Sequence, residues 1–145
     1  MMLALYFAYG SNMDASQMVR RVPSASLVEI GELEGYDVVF NRQGTYRSGG
    51  VASLEPAQGK SVFGAVWSLD EAALPTLDRI EDPAAYRREL LSVRGLSGKT
   101  YRCFVYRSIP QGPVEPDKEY LRLIIDAAES LKLPNHYIRR LREFE

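Results

Sequence analysis

Apolar residues occur in short runs along the chain, and those runs predict its elements. Leu3–Tyr9 is apolar almost throughout, is broken at Gly10, and reads as a buried strand. Ser26–Leu33 carries Leu27, Val28, Ile30 and Leu33 among polar residues and suggests a second strand. Gly35 opens a third, Tyr36–Phe40. Val51–Leu54 is a short strand stopped by Pro56, and Ser61–Leu69 is strongly strand-like. Gly64 within it marks a bulge or a close backbone approach. Tyr86–Arg94 and Lys99–Ser108 form a hairpin through Gly95-Leu96-Ser97-Gly98. The remaining patterns are helical. Asp14–Arg21 is a short helix with Ser11 or Asn12 as N-cap, ended by Pro23. Asp70 to about Ile80 places Leu69, Ala73, Leu74, Leu77 and Ile80 on one face; Pro75 makes its first turn irregular or its start late. Asp117 caps Lys118–Leu131, whose stripe is Leu121, Ile124, Ile125 and Ala128. A final helix starts with Pro134 at its first position and ends near Phe144. Residues 41–50 and 109–116 read as loops, the first lining a pocket.

This order predicts a single α+β domain over residues 1–145, with about six or seven strands in a mixed, strongly curved or closed sheet and helices flanking it. At 46% hydrophobic and 26% charged residues, 145 residues suffice for one core of their own. The formal net charge of -1 gives no field that draws nucleic acid or an anionic membrane, so neither is expected as a partner. Cys103 is the single cysteine, which excludes an intrachain disulfide and suggests a reducing cytoplasm. It lies within an apolar strand and reads as core. The N-terminal run lacks the basic and long apolar regions of a signal peptide, and no run is long enough to span a bilayer.

Some apparent motifs dissolve on inspection. Gly59-Lys60-Ser61 and Gly98-Lys99-Thr100 resemble the end of a phosphate-binding loop, but the glycine required upstream is Leu54 in the first case and Val93 in the second. Both read as hairpin turns. A lone histidine, His136, and a lone cysteine build no zinc cluster, so no zinc site is expected. His136 lies on a polar turn of the last helix and reads as surface rather than as a triad member. Arg139, Arg140 and Arg142 read as a solvated face balanced by Glu143 and Glu145.

Two features carry chemistry. Tyr9-Gly10-Ser11-Asn12 turns a buried strand into a helix start, where backbone N–H groups lack partners and favour a carboxylate or oxyanion; a plain strand-to-helix corner has the same spacing. Asp78, Glu81 and Asp82 gather at a helix C-terminus, against the macrodipole. They are either a solvated helix end or, if one is partly buried, an acid with a raised pKa suited to proton transfer near neutrality.

These residues together resemble the γ-glutamylcyclotransferases. Tyr6-Phe7-Ala8-Tyr9-Gly10-Ser11-Asn12 is similar to the signature of that family. Gly49-Gly50-Val51-Ala52, Phe63-Gly64-Ala65-Val66-Trp67 and Leu133-Pro134-Asn135-His136-Tyr137 are similar to further segments of it. Leu77-Asp78-Arg79-Ile80-Glu81 resembles the segment bearing its catalytic glutamate, and Tyr86 and Tyr120 fall on family tyrosines. The resemblance implies a small barrel with a cavity at its mouth, with Glu81 as proton acceptor and donor. It implies that Tyr6, Phe7, Ala8, Tyr9, Gly10, Ser11 and Asn12 hold the glutamyl moiety and that Tyr120 contributes to the pocket. In the family strand where a tyrosine stands, Thr100–Phe104 offers Phe104, so a hydroxyl is expected to be lost.

The implied reaction converts a γ-glutamyl amino acid into 5-oxoproline and a free amino acid without metal or cofactor. The nucleophile is the substrate's own α-amine, so no serine or cysteine is needed. A γ-glutamylamine or γ-glutamyl-acylated metabolite is an alternative substrate, and a non-catalytic γ-glutamyl-binding module an alternative function. The partner expected is a small molecule; assembly as a homodimer stays open.

Overall fold

The computed structural model describes residues 2–44, 49–81 and 85–145. Among these residues five strands, β1 (Leu3–Ala8), β2 (Ser26–Gln43), β3 (Gly50–Asp70), β4 (Tyr86–Gly95) and β5 (Thr100–Ser108), close into a barrel in the order β1-β3-β2-β4-β5. The neighbours run antiparallel except at the seam, where Tyr6 of β1 meets Phe104 of β5 in parallel. The expected closed, mixed α+β barrel is therefore present, with fewer strands than the six or seven expected.

The difference lies in β2 and β3. Each contains two of the expected strands, because the breaks at Gly35 and Pro56 bend the ribbon without ending it. The register slips between Glu34 and Tyr36, where Pro56 pairs with Tyr36 and Ser61 with Glu34. The residues from Ala57 to Lys60 bulge out, with Gly35 and Gly59 at φ +85° and +80°. Gly59-Lys60-Ser61 is thus part of a bulge within a strand, not a hairpin turn. Gly98, at φ +95°, does sit in the expected β4–β5 turn. Residues 41–43 extend β2 rather than opening a loop.

Side-chain alternation turns one barrel face inward onto Phe7, Val62, Val66, Val93, Cys103 and Val105, all fully buried. Gly64 allows β1 to approach: a Cβ there would sit 2.2 Å from the Ala8 carbonyl oxygen. Among the described residues four helices pack around the barrel: α1 (Ala15–Arg21), α2 (Leu74–Ile80), α3 (Lys118–Ser130) and α4 (Asn135–Arg142). The cap of α1 is Asp14, whose carboxylate accepts from Gln17 N at 3.2 Å, and not Ser11 or Asn12, which lie in a preceding 3₁₀ turn. Pro75 is accommodated by a late start: a 3₁₀ turn, Glu71–Ala73, precedes α2 and leaves Pro75 at its N-terminal end. Asp117 caps α3 as expected, accepting from Tyr120 N at 3.0 Å, whereas Pro134 stands one place earlier than expected, as the cap of α4. His136 is exposed, against the edge of Phe63. Among the described residues no helix is long and apolar enough to cross a membrane.

Candidate active site

β1 delivers the chain to the barrel rim at Tyr9, and Gly10 turns it into the 3₁₀ turn Ser11–Met13. The first bond of that turn runs from Met13 N to Gly10 O at 3.1 Å, so the amides of Ser11 and Asn12 have no acceptor within it. A side chain at position 10 would displace a neighbour, since its Cβ would lie 3.0 Å from the Tyr120 hydroxyl.

Asn12 is buried, and its polar atoms are occupied. Its Oδ1 accepts from Gln17 Nε2 at 3.0 Å and from Arg21 Nη1 at 2.9 Å. Gln17 and Arg21 are four residues apart on α1 and share a face. With both donors on the oxygen, the amide nitrogen must face the other way. It donates to the Tyr6 hydroxyl at 3.1 Å and to Glu81 Oε1 at 3.4 Å. The backbone carbonyl of Asn12 accepts from Trp67 Nε1 at 3.1 Å, which fastens the turn to β3.

Glu81 is the C-cap of α2, where its amide donates to Leu77 O at 2.9 Å. Fully buried Leu77 anchors this helix end to the barrel, so the carboxylate reaches over the rim toward Tyr6. Desolvation among the surrounding rings raises the Glu81 pKa to about 7, against the opposing pull of the Arg21 charge and a hydrogen bond from Tyr6.

Tyrosines make most of the wall. Tyr86 OH donates to Ala52 O at 3.0 Å, and Tyr120 OH accepts from Ala52 N at 3.2 Å, so one residue of β3 fixes two rings. Tyr9 OH donates to the Tyr106 carbonyl. Burial raises the hydroxyl pKa of Tyr6, Tyr9, Tyr86 and Tyr106, so these groups stay protonated near neutrality.

Together these groups enclose a cavity of about 360 Å³. Tyr6, Tyr9, Gly10, Ser11, Asn12, Glu81 and Tyr120 all line it. Phe7 and Ala8 do not: alternation along β1 sends the Phe7 ring into the barrel interior, and Ala8 packs its carbonyl on Gly64. Of the acidic group, Asp78 turns aside to pair with Arg88 at 3.0 Å and to accept from Tyr106 OH at 2.7 Å; Asp82 lies outside the described residues. Phe104 carries the Arg88 guanidinium 5.0 Å from its ring centre and does not line the cavity, whereas Tyr106, two residues on, does. Gln43 and Gly44 reach the cavity, as expected of that segment, of which residues 45–48 lie outside the described residues. Arg21 and Tyr106 are lining residues that sequence reasoning missed. The spacing of Gln17 and Arg21 behind the turn was the available signal for the first.

Residues 61–141 match the family model described as the AIG2-like family. The γ-glutamylcyclotransferase of Bos taurus is 31% identical over 97% of this chain and 78% of its own length, and that of Homo sapiens 29% over the same shares. The chain belongs to the AIG2-like family and is an enzyme of the γ-glutamylcyclotransferase type. A solved structure titled γ-glutamyl cyclotransferase superposes with a TM-score of 0.94 at 27% identity, covering 99% of this chain and 89% of that one. The family match begins within β3, so it takes in Glu81 and Tyr120 but not the Tyr6–Asn12 segment. The longer matches to the relatives cover nearly the whole chain.

Proposed function

We propose that the chain cyclises a γ-glutamyl amino acid to 5-oxoproline and releases the free amino acid, with Glu81 as base and then acid. The observation that carries this reading is that Glu81 and the Gly10–Asn12 turn open into one cavity. Its volume of about 360 Å³ suits a small metabolite.

The α-amine of the substrate is protonated at neutral pH and cannot attack until a base removes a proton. A carboxylate with a pKa of about 7 takes that proton and holds it at no great cost. The freed amine attacks the γ-carbonyl carbon of the same molecule and closes a five-membered ring. The carbonyl oxygen becomes an oxyanion, to which this reading assigns the amides of Ser11 and Asn12, which have no acceptor within the turn. The carbon–nitrogen bond to the leaving amine then breaks. Two protons leave the attacking nitrogen and two arrive on the departing one, so Glu81 ends the cycle ionised as it began. The fixed tyrosine wall folds the glutamyl chain toward its ring form, and such orientation is worth about 7–11 kcal/mol in favourable cases.

Glu81→Gln is the test. It keeps the size of the side chain and removes the base, so 5-oxoproline release from γ-glutamyl-alanine should vanish while the melting transition persists. Turnover by this variant at the wild-type rate rejects the assignment. A panel of γ-glutamyl substrates with different leaving amines separates amino-acid substrates from γ-glutamylamines.

A further inference from the structure

We infer that Arg21 binds the α-carboxylate of the glutamyl group, which leaves the Ser11 and Asn12 amides for the oxyanion. This rests on the cyclotransferase reading and assigns the charged end of the substrate within that site.

Among the described lining residues of the cavity, Arg21 and Glu81 alone carry charge; the others are glycine, alanine, tyrosine and neutral polar or apolar side chains. The head of a γ-glutamyl group is a zwitterion, an ammonium and a carboxylate on one carbon. A cavity with one cation and one anion matches it group for group. Asn12 sets the spacing. Arg21 bonds the oxygen of its amide at 2.9 Å, and Glu81 stands 3.4 Å from the nitrogen of the same amide. The two charges therefore face the cavity from opposite ends of a single carboxamide. Only one Arg21 nitrogen is engaged there, and no carboxylate among the described residues lies within ion-pair distance of the guanidinium. A half-buried guanidinium with unused N–H groups presents the planar fork that pairs with a carboxylate.

The assignment also orders the site. With the carboxylate on Arg21 and the ammonium on Glu81, the γ-carbonyl must curl back toward the Gly10 turn to reach the amine. The same turn then offers its free amides to the oxygen that gains charge. A substrate lacking the carboxylate loses the anchor and leaves Arg21 facing an empty partner position.

The experiment compares γ-glutamyl-alanine with its α-carboxamide analogue, in wild type, Arg21→Met and Arg21→Lys. Wild type should prefer the carboxylate on the order of 100-fold in kcat/KM, the range of a charge-assisted hydrogen-bonded pair. In Arg21→Met the preference should fall to about threefold or less, and Arg21→Lys should restore part of it. Arg21→Met that keeps the full wild-type preference overturns the inference. Calorimetry with 5-oxoproline and its carboxamide reads the same contact without turnover: 5-oxoproline should bind wild type and bind Arg21→Met more weakly, and equal binding to both overturns the proposal. If no protein forms 5-oxoproline from γ-glutamyl-alanine, the cyclotransferase reading fails, while the calorimetric difference still decides the role of Arg21. Thermal melting of Arg21→Met checks that α1 remains folded.

Discussion

The Asn12 amide nitrogen lies 3.4 Å from Glu81 Oε1, across 69 residues of sequence, and its oxygen is already committed to Gln17 and Arg21. A neutral donor held beside the carboxylate favours its ionised form without adding a competing charge. Asn12→Asp puts a second carboxylate in that place. Like charges raise each other's pKa, so the rising limb of the pH–rate profile should move to higher pH. Asn12→Ala should lower kcat/KM on the order of 100-fold through lost positioning. An unchanged profile in Asn12→Asp would show that the two groups do not interact in solution.

Activity and stability should depend on pH in opposite senses around Glu81. In the proposed mechanism its carboxyl is the acceptor only when ionised, so kcat/KM should climb through about pH 7. Stability runs the other way. The folded protein holds this proton up to about pH 7, whereas the unfolded chain releases it near 4.5. Folding therefore binds a proton between those values, and stability falls as pH rises through that window, then levels off above it. Glu81→Gln has no such loss. It should match wild type in unfolding free energy near pH 4 and exceed it at pH 8, by up to about 3 kcal/mol. Parallel melting curves at both pH values would refute this.

Gly10→Ala and Gly64→Ala test two kinds of close approach. At Gly10 the new methyl meets the Tyr120 hydroxyl, the end of a side chain, at 3.0 Å. The fold should survive, while Tyr120 shifts off Ala52 N and the KM for substrate rises. At Gly64 the methyl meets the Ala8 backbone at 2.2 Å, and the β1–β3 pairing has no room to yield. That variant should lose several kcal/mol of stability or fail to fold, on the order expected for forced overpacking. Urea denaturation and steady-state kinetics of both variants separate the two effects.

Asp37 and Arg140 form a latch between β2 and α4, with Oδ2 3.0 Å from Nη2 and Oδ1 3.2 Å from Nε. Burial opposes the Asp37 charge, but Arg140 and Lys60 overcome this and hold its carboxyl below the usual range. The stability it contributes is present above the ordinary aspartate pKa and is lost as pH falls through the lowered value. Arg140→Ala should cost about 1–3 kcal/mol at pH 7, and the penalty should shrink toward pH 2. It also exposes Phe144, over whose ring the guanidinium lies at 4.5 Å. Catalysis at low temperature should be unaffected, since Arg140 does not line the cavity.

Much of this molecule can be read locally. Hydrophobic runs and turn residues mark β1, β4, β5, α3 and the β4–β5 turn because those features depend on neighbouring residues. Glu81 and the Tyr6–Asn12 segment are legible as a pair only through resemblance, since composition alone leaves a helix end and a corner. The sequence by itself determined that an α+β sheet would form, that Pro75 would disturb the first turn of a helix or delay its start, and that a turn would follow a buried aromatic strand. Tertiary structure decided that β2 and β3 run on through Gly35 and Pro56, because long-range pairing outweighs a local break and absorbs it as a bulge. It also decided which residues of β1 line the cavity, and that Arg21 comes to Asn12 from the far end of α1. Closing the barrel is what brings charges distant in the chain to one cavity, and no local pattern records that closure.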